Sequence, residues 1–245
     1  MTIHWVKLQI SAHSQVLTWT PSISDNSTYY TNIPDCSGYC NHGIASSSFT
    51  NSTDTPRNHY STIFNNDKYI NCGRGAMVSD ALTVSMWAYM DDWSTTSSYR
   101  LISCAQGGGW DIWPNANKYM TMEVYRNGAY ITGISEMPFT DITGKWTPGW
   151  HHIVGTYDGY KAEFYLDGVQ GTTSTVSNTQ YPITYHASNA LFIGAEAGGS
   201  ATTPDSIYFN GKISDVRIYA TALSQEDIKE IYNTSKISFL DNGTL

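Results

Sequence analysis

Trp110 and Trp113 are the residues of this chain best suited to hold a ligand. They follow three consecutive glycines in GGGWDIWPNANKY. Aromatic faces stack on pyranose rings, while Asn, Asp and backbone groups bond the sugar hydroxyls. Glycines leave a ring face open, so Trp110 and Trp113 are the preferred pair. Trp93 and Tyr119 stand in or beside similar loops of Gly, Ser and Asn. The competing expectation is that rings this large plug the rim of the fold, because aromatics usually bury most of their area. A second cluster is IPDCSGYCNHG, where Asp35 and Asn41 bring oxygen atoms into one short loop. Hard cations such as calcium take several such oxygens. The same residue types also cap turns through side-chain-to-backbone hydrogen bonds, with no metal.

Catalytic chemistry finds less support. Retaining glycosidases need two carboxylates on one face, about 5 Å apart. Glu123, Glu136, Glu163 and Glu196 are scattered, and none opens an alternating acidic run. His151-His152 invites an acid/base reading, yet successive strand residues face opposite sides. The chain is therefore read as a non-enzyme. Cys36, Cys40, Cys72 and Cys104 include no Cys-x-x-Cys pair, which argues against zinc. All four are expected to be reduced, with Cys104 and Cys72 as small buried apolar groups. A Cys36–Cys40 bridge is the alternative in an oxidising compartment.

The elements that must position these residues are strands. Trp150–Gly168 organises them, reading as two antiparallel strands with turns at Asp158-Gly159 and Asp167-Gly168. Ala162, Phe164 and Leu166 share one face; Glu163, Tyr165 and Asp167 share the other. ALTVSMWAYM alternates in the same way and reads as a long central strand. MTMEVYRNGAYITG is a hairpin through Asn127-Gly128, and ALFIGAEAGG is a strand running into glycines. In FNGKISDVRIY the apolar phase slips near Ser214-Asp215, and one extra residue, a β-bulge, restores it. One helix is expected, near the end. Ser224 is its N-cap, Asp227 completes a near capping box, and Leu223 and Ile228 form a hydrophobic staple. Residues 1–15 read as a lead-in or connector, 16–235 as one sandwich, and 236–245 as a strand-like stub of a following segment. That ending suggests a piece of a longer protein.

Composition narrows the partners. In 245 residues, 40% are hydrophobic, 13% aromatic and only 14% charged, so Ser, Thr, Asn and Gly carry solubility. Such a surface suits an extracellular or virion protein. Net charge is −8 with no basic run, which excludes nucleic acid as the natural partner. No apolar run is long enough to insert into a membrane, and the opening MTIHWVKLQISAHSQ, with no cationic stretch before an apolar block, is not expected to act as a signal peptide.

Together the segments PDCSGYCNHG, STIFNNDKYI, LTVSMWAYM, WHHIVGTYDGYKAEFYLDGVQ, LFIGAEAGG and FNGKISDVRIYATALSQEDIKEIYN resemble the concanavalin A-like, laminin-G-like jelly-roll family. The resemblance implies an all-β fold of two packed antiparallel sheets, with loops at the rim and one short C-terminal helix. It implies that His151-His152 lie in a structural strand. It also implies calcium in some members, near the Asp35–Asn41 loop and the last strand, where Asp215 would complete the shell. Trp5, Trp87, Trp146 and Trp150 are read as core or strand-edge anchors. The function expected is a non-catalytic carbohydrate-binding or adhesion module of a larger bacterial surface or phage virion protein, recognising a cell-surface glycan. The alternative is a structural or protein-interaction module that packs against a neighbouring virion or surface protein, with oligomerisation open to it.

Overall fold

The computed structural model describes residues 32–33, 35, 39–47, 49–52, 54, 61–65, 67–91, 99–115, 119–134 and 148–240. The lead-in 1–15, the first residues of the expected sandwich (16–31), Trp5, Trp93 and Trp146 fall outside them. In chain order the strands are β1 (Asn32–Ile33), β2 (Gly43–Ala45), β3 (Thr50–Ser52), β4 (Ser61–Phe64), β5 (Ile70–Asn71), β6 (Leu82–Met90), β7 (Ile102–Ser103), β8 (Trp110–Pro114) and β9 (Met120–Arg126). They continue with β10 (Ala129–Ile134), β11 (Gly149–Tyr157), β12 (Ala162–Leu166), β13 (Val169–Gln170), β14 (Phe192–Ile193), β15 (Ala195–Ala197), β16 (Pro204–Tyr208) and β17 (Gly211–Tyr219). Helix α1 (Gln225–Leu240) follows.

Among the described residues the strands form two large sheets and a small ribbon. The larger sheet has eight strands in the order β1-β2-β5-β14-β7-β8-β9-β10. The smaller has seven, β13-β12-β11-β6-β17-β4-β3, and β15 pairs with β16 alone. Among the described residues the strand pairs are antiparallel throughout. Leu82, Val84, Met86 and Ala88 of β6 and Ile153 and Tyr157 of β11 meet Ile112, Met122 and Val124 of the larger sheet in one continuous core. The expected all-β sandwich is the fold observed.

Local chemistry explains the turns. Asn127 and Gly128 both have positive φ, 47° and 82°, as do Asp167 and Gly168, 50° and 77°. That pair of angles matches strand twist in a two-residue hairpin. Asp158-Gly159 works differently. The loop between β11 and β12 spans Asp158 to Lys161, and Asp158 Oδ1 accepts from the amides of Tyr160 and Lys161, each at 2.8 Å. The expected bulge is present: register with β6 shifts between Ser214 and Arg217, and Asp215 takes φ 51°. It keeps Ile213, Val216 and Ile218 in the core. The strand expected through ALFIGAEAGG breaks in two at Gly194, φ +80°, whose Cβ would sit 2.3 Å from the Phe64 ring. Thus β14 joins the larger sheet and β15 leaves for the ribbon.

Helix α1 covers the outer face of the smaller sheet. Ser224 Oγ accepts from the Asp227 amide at 3.2 Å, and Asp227 Oδ2 accepts from the Ser224 amide at 3.0 Å. Ile228 packs with Leu223 on Val154 and Tyr165. The Tyr232 ring stacks on Trp87 and on His152, each at 5.9 Å. Residues 236–240, expected to be strand-like, instead continue this helix. The staple docks α1 on the sheet, and docking sustains a helix beyond the run that propensity alone favours. Replacing the cap, Ser224→Ala, is expected to lower unfolding free energy by about 1 kcal/mol in a urea titration. An unchanged midpoint would show that the cap does not hold the helix.

Candidate functional site

Strand parity separates the two tryptophans expected to act together. Residues three apart on a strand face opposite ways. Trp110 points inward, is 0% exposed, and donates Nε1–H to the Tyr185 hydroxyl at 3.1 Å. It belongs to the core, and a ring with no exposed surface cannot stack on a sugar. The glycines before it serve packing. A Cβ on Gly109 would sit 2.3 Å from the Cys104 carbonyl oxygen, and one on Gly108 would sit 2.6 Å from the His186 amide nitrogen. Trp113, on the outer face, is half-buried. Tyr119 closes the hairpin: its amide donates to Asn115 Oδ1 at 3.1 Å, and its carbonyl accepts from the Asn115 amide at 2.8 Å.

The outer face of the larger sheet gathers a different set around Trp113. Across β7, β8, β9 and β10 the register places Ser103 beside Asp111, Asp111 beside Glu123, and Glu123 beside Thr132. Trp113 lies beside Thr121, and Tyr125 meets Tyr130 edge to face at 4.9 Å. Arg100 binds the row together. Its Nε donates to Asp111 Oδ2 at 2.9 Å, its Nη2 to Glu196 Oε1 at 2.8 Å, and its Cζ lies 4.0 Å from the Trp113 ring centroid. Asp111 Oδ1 and Trp113 Nε1 are buried without hydrogen-bond partners. Buried polar atoms of this kind usually find one.

The electrostatics follow from burial. Desolvation pushes the Asp111 carboxyl up to about 8, against the pull of Arg100 and with a push from Glu123. Glu196 is also raised, by burial first, with Arg100 opposing. Glu123 Oε1 accepts from the Thr132 hydroxyl at 3.3 Å. The face thus leaves the Trp113 ring, the Glu123 carboxylate and the Thr132 hydroxyl partly exposed, over a buried Arg100, Asp111 and Thr121. Single-strand motifs miss it because its carboxylates come from different strands. Only the register of the β8–β9 hairpin, GWDIWPNANKYMTME, brings Asp111 to Glu123.

The residues expected to hold calcium have protein partners. Asp35 Oδ2 accepts from the Asn41 amide at 2.9 Å, and the Asp35 amide donates to His42 Nδ1 at 3.0 Å. These bonds close the turn, as the cap reading expects. Asp215 receives Arg217 Nε at 2.8 Å and Nη2 at 2.6 Å. Asp35 lies between β1 and β2 of the larger sheet, while Asp215 belongs to β17 of the smaller. Among the described residues no group of three or more His, Cys, Asp or Glu is placed to hold a metal ion. His151 and His152 also stand apart: His151 Nδ1 meets Asp167 Oδ2 at 2.8 Å, and His152 Nε2 meets Ser85 Oγ at 2.9 Å.

Two antiparallel sheets closed face to face, with a helix on one outer face, define a lectin-like jelly roll. The model of the concanavalin A-like lectin/glucanases superfamily matches residues 64–229, and the chain belongs to that superfamily. Among solved structures it resembles the binding domain of Paraclostridial mosquitocidal protein 1 (TM-score 0.62, 14% identity, 84% of this chain and 50% of that one). It also resembles the botulinum neurotoxin serotype D ligand-binding domain in complex with N-acetylneuraminic acid (TM-score 0.63, 14% identity, 94% and 50%). A third is the binding domain of botulinum neurotoxin DC in complex with rat synaptotagmin II (TM-score 0.62, 14% identity, 94% and 51%). The chain spans about half the length of these structures, and identity at this level establishes the fold. No curated protein matches it.

The raised Asp111 carboxyl makes a pH prediction. Its ordinary value is 3.8, and in the native state it keeps its proton up to about 8. Between those values the native state binds more protons than the unfolded chain, so stability falls as pH rises through this window. Melting temperature measured from pH 4 to pH 9 is expected to fall through that window in the parent protein. Asp111→Asn should remove that component of the slope. An identical slope in the variant would place the titration elsewhere.

Proposed function

We propose that this chain is a non-catalytic carbohydrate-binding module, and that it contacts a cell-surface glycan through the outer face of the larger sheet around Trp113. One observation carries the reading: a partly exposed tryptophan, backed by Arg100, shares a face with the partly exposed Glu123 and Thr132. An aromatic platform beside carboxylate and hydroxyl acceptors is what neutral sugars require. The catalytic alternative is disfavoured by Asp111 itself. It is 2% exposed and bonded to Arg100, so it presents no proton to an open cleft.

Fold likeness adds support at the level of class. The structural relatives are binding domains, one solved with N-acetylneuraminic acid and one with synaptotagmin. The sparse charge and the Ser, Thr and Asn of the surface suit display outside the cell or on a virion, as part of a larger protein. Among the described residues no helix is long and apolar enough to cross a membrane.

A glycan array on the isolated domain, run with and without chelator, tests the reading. Trp113→Ala and Glu123→Gln are each expected to lower signal on the recognised glycan by about tenfold or more, since a hydrogen bond to a charged group or an aromatic contact is worth about that. Melting temperature should stay near that of the parent. Trp110→Ala should instead destabilise the fold by about 3–5 kcal/mol. Retained binding in both surface variants would rule out this face.

A further inference from the structure

Among the described residues Arg126 is a buried cation without a counter-ion. It is 7% exposed at the end of β9, where alternation with Met120, Met122 and Val124 turns it inward. Its Nε and Nη1 are buried without a hydrogen bond of good geometry, and the Tyr157 hydroxyl is the side chain set beside the guanidinium. Nη2 makes one long bond, 3.4 Å, to the Thr175 carbonyl. The guanidinium lies 5.4 Å from the Tyr181 ring centroid. Other described arginines differ: Arg100 and Arg217 are ion-paired, and Arg74 donates to the carbonyls of His186 and Asn189. Removing a charge from water without pairing it is costly, so folds rarely keep one without a use.

The surroundings show what that use could be. Arg126 lies at the hairpin end of β9 against Tyr181 and the segment 174–180, whose exposed residues rim this end, or mouth, of the sandwich. Tyr157 reaches the same mouth from β11, its hydroxyl donating to the carbonyls of Gly159 at 3.1 Å and Tyr181 at 2.5 Å. Tyr160 is 40% exposed at the rim, and Thr175, Asn178 and Gln180 are exposed around it. The Thr175 carbonyl hangs between two anchors, the Ser174 amide on the Ala162 carbonyl and the Ser177 amide on the Tyr160 carbonyl. Between them nothing but the long Arg126 bond holds that carbonyl by a hydrogen bond.

We propose that Arg126 is the floor of an anion site at this mouth, and that its ligand is the carboxylate of an acidic sugar. A carboxylate matches the planar fork of a guanidinium. It takes the place of the Thr175 carbonyl, making shorter, charge-assisted bonds where a long neutral one stands. Phosphate fits less well, because the mouth offers one guanidinium and the chain carries a net charge of −8 that repels a dianion. The tyrosine ring and the hydroxyl and amide side chains of the rim suit the rest of a pyranose. This site is separate from the Trp113 face.

Calorimetric titration with N-acetylneuraminyl-lactose and with lactose, on the parent, Arg126→Gln, Arg126→Lys and Trp113→Ala proteins, tests the proposal. The acidic sugar is expected to bind the parent about tenfold or more tighter than lactose. Arg126→Gln should abolish that preference, Arg126→Lys should keep part of it, and Trp113→Ala should leave the ratio unchanged. Should Arg126→Gln fail to fold by circular dichroism, competition on the parent replaces it: free N-acetylneuraminate should displace the acidic sugar, and its methyl ester should not. Equal affinity for both sugars, binding of neither, a preference that survives Arg126→Gln, or displacement by the ester would overturn the proposal. Tighter binding of an acidic peptide than of the acidic sugar would also overturn it, by making the ligand a protein.

Discussion

Two-residue alternation on strands buried from both sides is the constraint on which this structure depends. Strand β6 shows it most fully. Eight of its nine residues are buried. Leu82, Val84, Met86 and Ala88 enter the core between the sheets, while Trp87 on the other side lies under Tyr232 of α1. A slip of one residue would carry Thr83, Ser85 and Trp87 into the core and expel the aliphatic set. β11 and β17 flank β6 over nearly its whole length, so they share its register. The bulge at Asp215 is where β17 absorbs its mismatch, and the Arg217 pair neutralises the carboxylate left there.

The same alternation decides what the larger sheet can offer a partner. Inward positions of β8 and β9, Trp110, Ile112, Met122 and Val124, are spent on the core. Outward positions then carry the polar chemistry, and Arg100 keeps it from repelling itself. Three acidic side chains share that face, and one guanidinium bonds two of them. The cost falls on Asp111, whose desolvation outweighs its cation and holds its proton. What this leaves toward solvent is the Trp113 ring with the Glu123 carboxylate and the Thr132 hydroxyl beside it.

Much of the architecture was legible in the sequence, because it rests on local rules. Asn127-Gly128 and Asp167-Gly168 announced hairpins, the broken phase at Ser214-Asp215 announced a bulge, and Ser224 with Asp227 announced the start of α1. Each involves residues within a few positions of one another. The site was less legible. Trp110 and Trp113 looked like a pair when only loop composition was weighed, although their spacing of three already put them on opposite faces. The glycines before them looked like openness and are close backbone contacts. Arg100, Asp111, Glu123 and Glu196 come together through pairings across strands, which no single-strand motif encodes. The fold of ALFIGAEAGG across two sheets depends on the Phe64 ring, far away in sequence. Residues 236–240 look strand-like alone and are helical because α1 is already docked.

The central claim is that one tryptophan of GGGWDIW is core and the other faces outward to a ligand. Assigned indole N–H resonances of the eight tryptophans test it directly, by hydrogen exchange and by titration with a glycan that binds. The account predicts that the Trp110 indole proton exchanges slowly and stays in place, while that of Trp113 shifts as glycan is added. A rapidly exchanging, ligand-responsive Trp110 beside an unresponsive Trp113 would contradict it.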